Sequence, residues 1–148
     1  MKKMIAFFMA SFCAMVVKYF TVDDFSALLD FDRIVVVSTE QLCEKYVKNG
    51  DDYYNYFSKE EGEVLLKDYE NINAKGVNLY FSGKDFDYFA KLTENIQRVD
   101  DVEGNACWQG YYSGFKDFRY ISKKKINFQL VQTEDGWIMG FPYILTGF

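Results

Sequence analysis

The stretch from Ile126 to Leu145 leaves a folding chain little choice. Ile126, Phe128 and Leu130 alternate with Asn127 and Gln129, the two-residue period of a strand with one buried face. Asp135-Gly136 follows, a dipeptide that favours a two-residue hairpin turn because both residues tolerate positive φ. With those two as the loop, Leu130 faces Phe141, Phe128 faces Tyr143 and Ile126 faces Leu145, so every same-face pair is apolar. Pro142 lacks an N–H and needs the unpaired side of its strand or a bulge.

Upstream the pattern is mixed. Residues 21–33 read as a short amphipathic helix or connector with Phe25, Leu28 and Leu29 on one side. Ile34 to Val37 is an unbroken β-branched run, expected of a strand buried on both faces. Ser38 to Gln41 has capping-box spacing, which predicts a helix placing Leu42, Cys43, Tyr46 and Val47 on one face and ending at Asn49-Gly50. Asp51 to Phe57 suits a loop or a short strand. Ser58 to Glu61 repeats the capping-box spacing, yet residues 63–72 suit helix or strand; a turn at Asn73 to Gly76 favours strand. Val77, Leu79 and Phe81 predict a half-buried strand. Asp85 suits an N-cap for a helix through Gln97 with Phe86, Phe89, Ala90, Thr93 and Ile96 in one stripe. Two strand-to-helix units, at Ser38 and Ser82, suggest a weak internal repeat, and residues 98–105 an acidic surface loop.

The N-terminus is of another kind. Lys2 and Lys3 precede a 13-residue apolar run, Ile5 to Val17, broken only by Ser11. That is the layout of a secretory signal, too short for an ordinary membrane-spanning helix. The nearest approach to a cleavage site, Ser11-Phe12-Cys13, lies inside the run. Residues 1–20 therefore suit a cleaved signal peptide or an uncleaved short anchor, with Lys18 at the interface beside Tyr19 and Phe20. A buried segment of the domain is the third reading. The remaining 21–148 make one domain, as about 150 residues usually do. The first 18 residues hold three of the 17 basic side chains and none of the 22 acidic ones, so the rest carries a net charge of −8. Such a surface should repel nucleic acid. Lys123-Lys124-Lys125 suits a solvated turn or strand edge.

The inventory of reactive groups excludes a good deal. The chain has no His, which removes His-based triads and His-ligated metals. Of three cysteines, Cys13 lies in the apolar run; Cys43 and Cys107 suit either one disulfide or two buried thiols. No CxxC and no glycine-rich phosphate loop is present, and no metal or cofactor is implied. Ser113 to Lys116 and Ser122 to Lys125 match S-x-x-K without the other elements of that chemistry. The acidic pairs Asp23/Asp24, Asp51/Asp52, Asp85/Asp87 and Asp100/Asp101 suit solvation and capping better than catalysis or calcium. Trp108, Tyr111, Tyr112 and Phe115, spaced with Gly110 and Gly114, are the candidate binding residues: exposed, they would stack on a sugar or peptide; otherwise they fill the core.

The C-terminal third also carries a resemblance. Tyr112-Ser113, Ile121, Lys124 to Val131, and Trp137 to Phe148 resemble the end of the YwmB family, exported proteins of spore-forming low-GC Gram-positive bacteria. That family closes with a K-x-N-x-Q strand, matched here by Lys125, Asn127 and Gln129. A turn and a G-x-P strand follow, matched by Gly140 and Pro142, and an aromatic end, matched by Phe148. The likeness spans some 40 residues, and Phe141, Gly147 and Gln132 depart from the family pattern. It implies a TATA-box-binding-protein-like fold and no catalytic residues.

The expected fold is therefore α+β, a curved antiparallel sheet with two or three helices on one face. The expected function is that of an exported or membrane-anchored, non-enzymatic protein of the cell envelope, connected with sporulation. It would bind an unidentified protein or an envelope glycan, and reach the membrane through its N-terminal segment if that is uncleaved. The rival reading is a glycan hydrolase or glycan-binding module built on carboxylates and aromatics, with two acids facing across a concave aromatic cleft.

Overall fold

Alternation between apolar and polar side chains recurs along most of the chain, and in the computed structural model, which describes residues 25–142 and 144, it becomes strands. The order is β1 (Arg33–Ser38), β2 (Tyr46–Asn49), β3 (Asp52–Ser58), α1 (Lys59–Lys67), β4 (Ala74–Phe81) and α2 (Phe86–Leu92). Then come β5 (Glu94–Val102), β6 (Asn105–Tyr111), β7 (Arg119–Ile121), β8 (Lys124–Ile126), β9 (Phe128–Thr133) and β10 (Gly136–Phe141). Short 3-10 turns lie at Ser26–Leu28 and Tyr69–Asn71. Eight strands form one sheet, ordered β2-β3-β1-β4-β10-β9-β6-β5, with every neighbouring pair antiparallel; β7 and β8 pair separately. This mixed α and β architecture agrees with the expected class.

Register sorts the side chains onto two faces. On one, Phe57, Ile34, Leu79, Met139, Leu130 and Trp108 make an apolar row across six strands, flanked by Val36, Val77 and Phe141. Both helices pack here, α1 through Leu66 and α2 through Phe89, together with Phe25, Leu28 and Phe31 of the N-terminal connector. Gly62 lets α1 lie close: a Cβ there would stand 2.4 Å from Ile34 Cγ2. No described helix joins the opposite face, which carries Val35, Val37, Val131, Ile138 and Cys107, all buried.

Several local expectations are corrected. Residues 38–45 form no helix. Ser38 is the last residue of β1; its Oγ donates to Glu40 O and accepts from Asn55 Nδ2, while Asn55 Oδ1 accepts from Leu42 N at 2.8 Å. The capping box is thus spent on a tight connection, and the following residues pair with β3 as an exposed edge strand. The proposed repeat loses its first unit. The segment read as loop or short strand forms strand β3 (Asp52–Ser58), as one of the two readings has it.

At Ser58 the capping box is complete. Glu61 N donates to Ser58 Oγ and Ser58 N donates to Glu61 Oε2, so α1 forms where strand was favoured. Residues 73–76 are consequently no turn, since Ala74 already starts β4. Asp85 does cap α2, accepting from Tyr88 N at 3.0 Å, but the helix stops at Leu92. Thr93 turns extended, its Oγ1 donating to Phe89 O at 2.8 Å, and β5 begins because pairing with β6 outweighs the helical stripe. The supposed loop at 98–105 is mostly β5 itself, turned at Glu103-Gly104.

The C-terminal hairpin forms with its loop one residue earlier, at Glu134-Asp135. Leu130 faces Met139, and Gly136 pairs with Thr133. The slip by a pair keeps each side chain on its face, so the apolar matching survives. Gly136 fixes it: at φ 142° its backbone passes so close to β4 that a Cβ would stand 2.1 Å from Phe81 O. Pro142 follows directly after β10. The predicted partners Tyr143 and Leu145, and residues 1–20 with their proposed export role, lie outside the described residues.

Asn127 and Gln129 have structural duties. Buried Asn127 Oδ1 accepts from Tyr112 N at 2.8 Å, and its Nδ2 donates to Tyr112 O at 2.9 Å and Phe115 O at 3.0 Å. Gln129 Oε1 accepts from Ile144 N at 3.1 Å. Together they clamp the loop after β6 and the segment after β10.

Two substitutions follow. Replacing Asn127 by Ala removes three hydrogen bonds to the backbone, leaving Tyr112 O with its bond from Phe115 N, and should cost about 2–4 kcal/mol in urea unfolding; a loss under about 1 would contradict the clamp. Gly136→Ala combines strained φ with a backbone collision and should cost roughly 2–4 kcal/mol, whereas an unchanged midpoint would contradict the close approach.

Candidate functional site

Strand alternation also dictates what is displayed on the face that no described helix covers. In β3, Tyr54 and Tyr56 point the same way, opposite to Asn55 and Phe57. In β4, Tyr80 points away from Leu79 and Phe81. Pairing brings these together: Arg33 lies between Ser58 and Tyr80, and Tyr80 faces Ile138. Val47 of β2 faces Tyr54.

These residues line a hollow of about 660 Å³, running from Val47 and Asn49 past Tyr54, Tyr56, Arg33 and Tyr80 to Ile138 and Thr133. Six adjacent strands contribute, a span of roughly 24 Å at the usual interstrand spacing. The Arg33 guanidinium lies 4.2 Å from the Tyr80 ring centroid, so a planar cation tops an aromatic face. Val47 and Ile138 supply apolar patches, while Asn49, Thr133, Asp32 and Asp135 supply polar groups along the margin.

The rim is fixed by hydrogen bonds. Asp32 N donates to Tyr80 O at 2.7 Å, and Asp32 Oδ2 accepts from Ser82 N at 2.6 Å and Ser82 Oγ at 2.7 Å. Nearby, Asp30 pairs with Lys84, and this hydrogen bond holds the Asp30 carboxyl below its ordinary range and the Lys84 ammonium above its own. The Trp137 indole donates to Lys84 O at 2.9 Å, tying the loop after β4 to β10.

Chemically the hollow offers flat aromatic surfaces flanked by groups with fixed donor and acceptor directions. That is what orients a ligand rich in hydroxyls. Its carboxylates, Asp32 and Asp135, are both solvent-exposed. Among the described residues no cluster of three potential metal ligands occurs, and no helix is long and apolar enough to cross a membrane.

The four aromatic residues singled out in the sequence do not share a surface. Tyr112 and Phe115 are buried, 5.8 and 5.1 Å from the ring of Phe141. Trp108 packs on the core side against Phe86 at 5.2 Å and Trp137 at 5.5 Å. Only Tyr111 points to the other side, edge-on to Phe118 at 6.1 Å. Trp108, Tyr112 and Phe115 are packing residues because the core face of the sheet needs rings to fill the gap beneath the two described helices.

The two described cysteines, Cys43 and Cys107, are free. Cys43 Sγ donates to Lys45 O at 3.1 Å beside β3, and buried Cys107 sits on β6. Five interstrand spacings separate β3 from β6, roughly 24 Å against the approximately 7 Å limit for a bridge. Burial also pushes the Cys107 thiol up, with Asp101 adding to the effect. Cys43 is half-exposed rather than core-facing, because the predicted helix around it is absent.

Comparison of the chain with protein-family models, curated proteins and solved structures returns no match.

Proposed function

We propose that this is an exported or membrane-anchored, non-enzymatic protein of the cell envelope that binds a glycan in the tyrosine-lined hollow. The observation that carries the reading is the hollow itself. Tyr54, Tyr56 and Tyr80 come from two non-neighbouring strands to one surface, which no described helix covers, beside Arg33 and fixed polar groups. Sugars combine flat patches of C–H with rings of hydroxyls, and aromatic faces bordered by Asp, Asn and Arg match both.

Export rests on Lys2 and Lys3 before the apolar run Ile5 to Val17, and the −8 charge of the remainder speaks against a nucleic-acid ligand. Kinship with the YwmB family is supported by the C-terminal pattern, and a connection with sporulation comes with it. A TATA-box-binding-protein-like arrangement is the finer form of the fold, favoured by an antiparallel sheet with its helices on one face.

The reading is tested by titrating the full chain with soluble peptidoglycan fragments and chitooligosaccharides in a calorimeter. Saturable binding that falls at least about tenfold on Tyr56→Ala or Tyr80→Ala is expected, each losing a stacking face. Binding unaffected by both substitutions, or none with either glycan, would reject the hollow as a glycan seat. Cell fractionation should place the protein outside the cytoplasm; recovery as a soluble cytoplasmic protein would sink the export claim.

A further inference from the structure

The charge of the chain is unevenly distributed. Residues 116–125 hold five basic side chains and one acidic, a net charge of +4. The remainder after residue 18 holds nine basic and 21 acidic, a net charge of −12. The basic segment is β7, β8 and their approach, a hairpin outside the main sheet whose turn is Ser122-Lys123, both at positive φ.

This hairpin also carries apolar surface. Phe118 is 44% and Tyr120 66% exposed, and the two rings meet edge to face at 5.5 Å. Lys125 lies over Phe118 at 4.5 Å, between the hairpin and Tyr111 of β6, so the aromatic pair is braced from behind. Arg119, Lys123 and Lys124 are exposed around it. Burying Phe118 would have removed apolar area from water at no cost in charge; the fold instead leaves both rings outward among cations.

We propose that the β7–β8 hairpin docks on an anionic phospholipid surface, Phe118 and Tyr120 entering the headgroup region while Arg119, Lys123 and Lys124 meet lipid phosphates. Aromatic rings flanked by Lys and Arg are the side-chain set that partitions to a bilayer interface, and each basic residue near an anionic surface adds to the attraction. A planar surface meets only the basic hairpin, whereas a nucleic acid long enough to wrap the domain would meet the acidic remainder. The hollow plays no part in this contact, so the two readings stand or fall separately.

The test compares full-length chains, because Lys2, Lys3 and Lys18 carry charge of their own. Cosedimentation with mixed phosphatidylglycerol–phosphatidylcholine vesicles should exceed that with pure phosphatidylcholine and weaken with salt. The combined variant Arg119→Glu, Lys123→Glu and Lys124→Glu should partition roughly a hundredfold more weakly, and Phe118→Ser with Tyr120→Ser should also weaken binding. In a Tyr120→Trp chain, brominated phosphatidylglycerol should quench fluorescence beyond the quenching of the unsubstituted chain. All these positions are exposed, and an unchanged circular dichroism melt confirms folding. Wild-type affinity in the charge-reversed chain, no added quenching at position 120, or capture by soluble heparin without vesicle binding would overturn the proposal.

Discussion

Everything in this fold depends on the seam between β4 and β10. To one side lie β2, β3 and β1, all from the first half of the chain; to the other lie β9, β6 and β5 from the second. The pairing of Phe81 with Trp137 through Val77 with Phe141 is what makes two four-stranded pieces into one sheet. It is possible because Gly136 has no side chain to strike the Phe81 carbonyl, and it is locked by the Trp137 indole on Lys84. A single seam of this kind concentrates long-range order at one place, so the core row beneath it and the hollow above it form together or not at all.

The two faces of that sheet have different tasks. The core face is filled by rings, Phe81, Phe89, Trp137 and Phe141 among them, since the two described helices, both short, cannot cover eight strands with aliphatic side chains alone. This explains a chain with 20% aromatic residues without any appeal to ligands. The tyrosines of the opposite face need a separate explanation. A polar tip and an apolar body suit a surface that is half wet, and Tyr54, Tyr56 and Tyr80 are each only half-buried.

What could be read from the sequence follows the range of the interaction responsible. The β-branched run at Ile34–Val37 marks β1 and local alternation marks β4 and the last hairpin, because each signal lies within a few residues; the Ser58 capping box is equally local, yet in the sequence the expected turn at 73–76 outweighs it in favour of strand. The Ser38 capping box misled for a long-range reason: Asn55, 17 residues on, claims Ser38 Oγ and the Leu42 N–H. Likewise Thr93 and Ile96 fit a helical stripe until β6 is present to draw the chain from Glu94 onward into β5. The site was half legible. Tyr54 and Tyr56, at a spacing of two, share a face once residues 52–58 form a strand, and simple alternation sets Tyr80 opposite Leu79 and Phe81. Their meeting with Arg33 and Ile138 depends on strand order, which no local pattern encodes. The Trp108–Phe115 cluster drew notice for its density of rings, yet ring density is what this core needs.

The central claim is that the tyrosine-lined face over the β4–β10 seam is a ligand seat. Amide chemical-shift mapping of the full chain during titration with a chitooligosaccharide tests it most directly. The account predicts shifts concentrated at residues 47–49, 54–56, 33, 80–82 and 136–138, with little change in α1 and α2. Shifts spread over the helices and the β5 edge, or no shifts at saturating glycan, would contradict it.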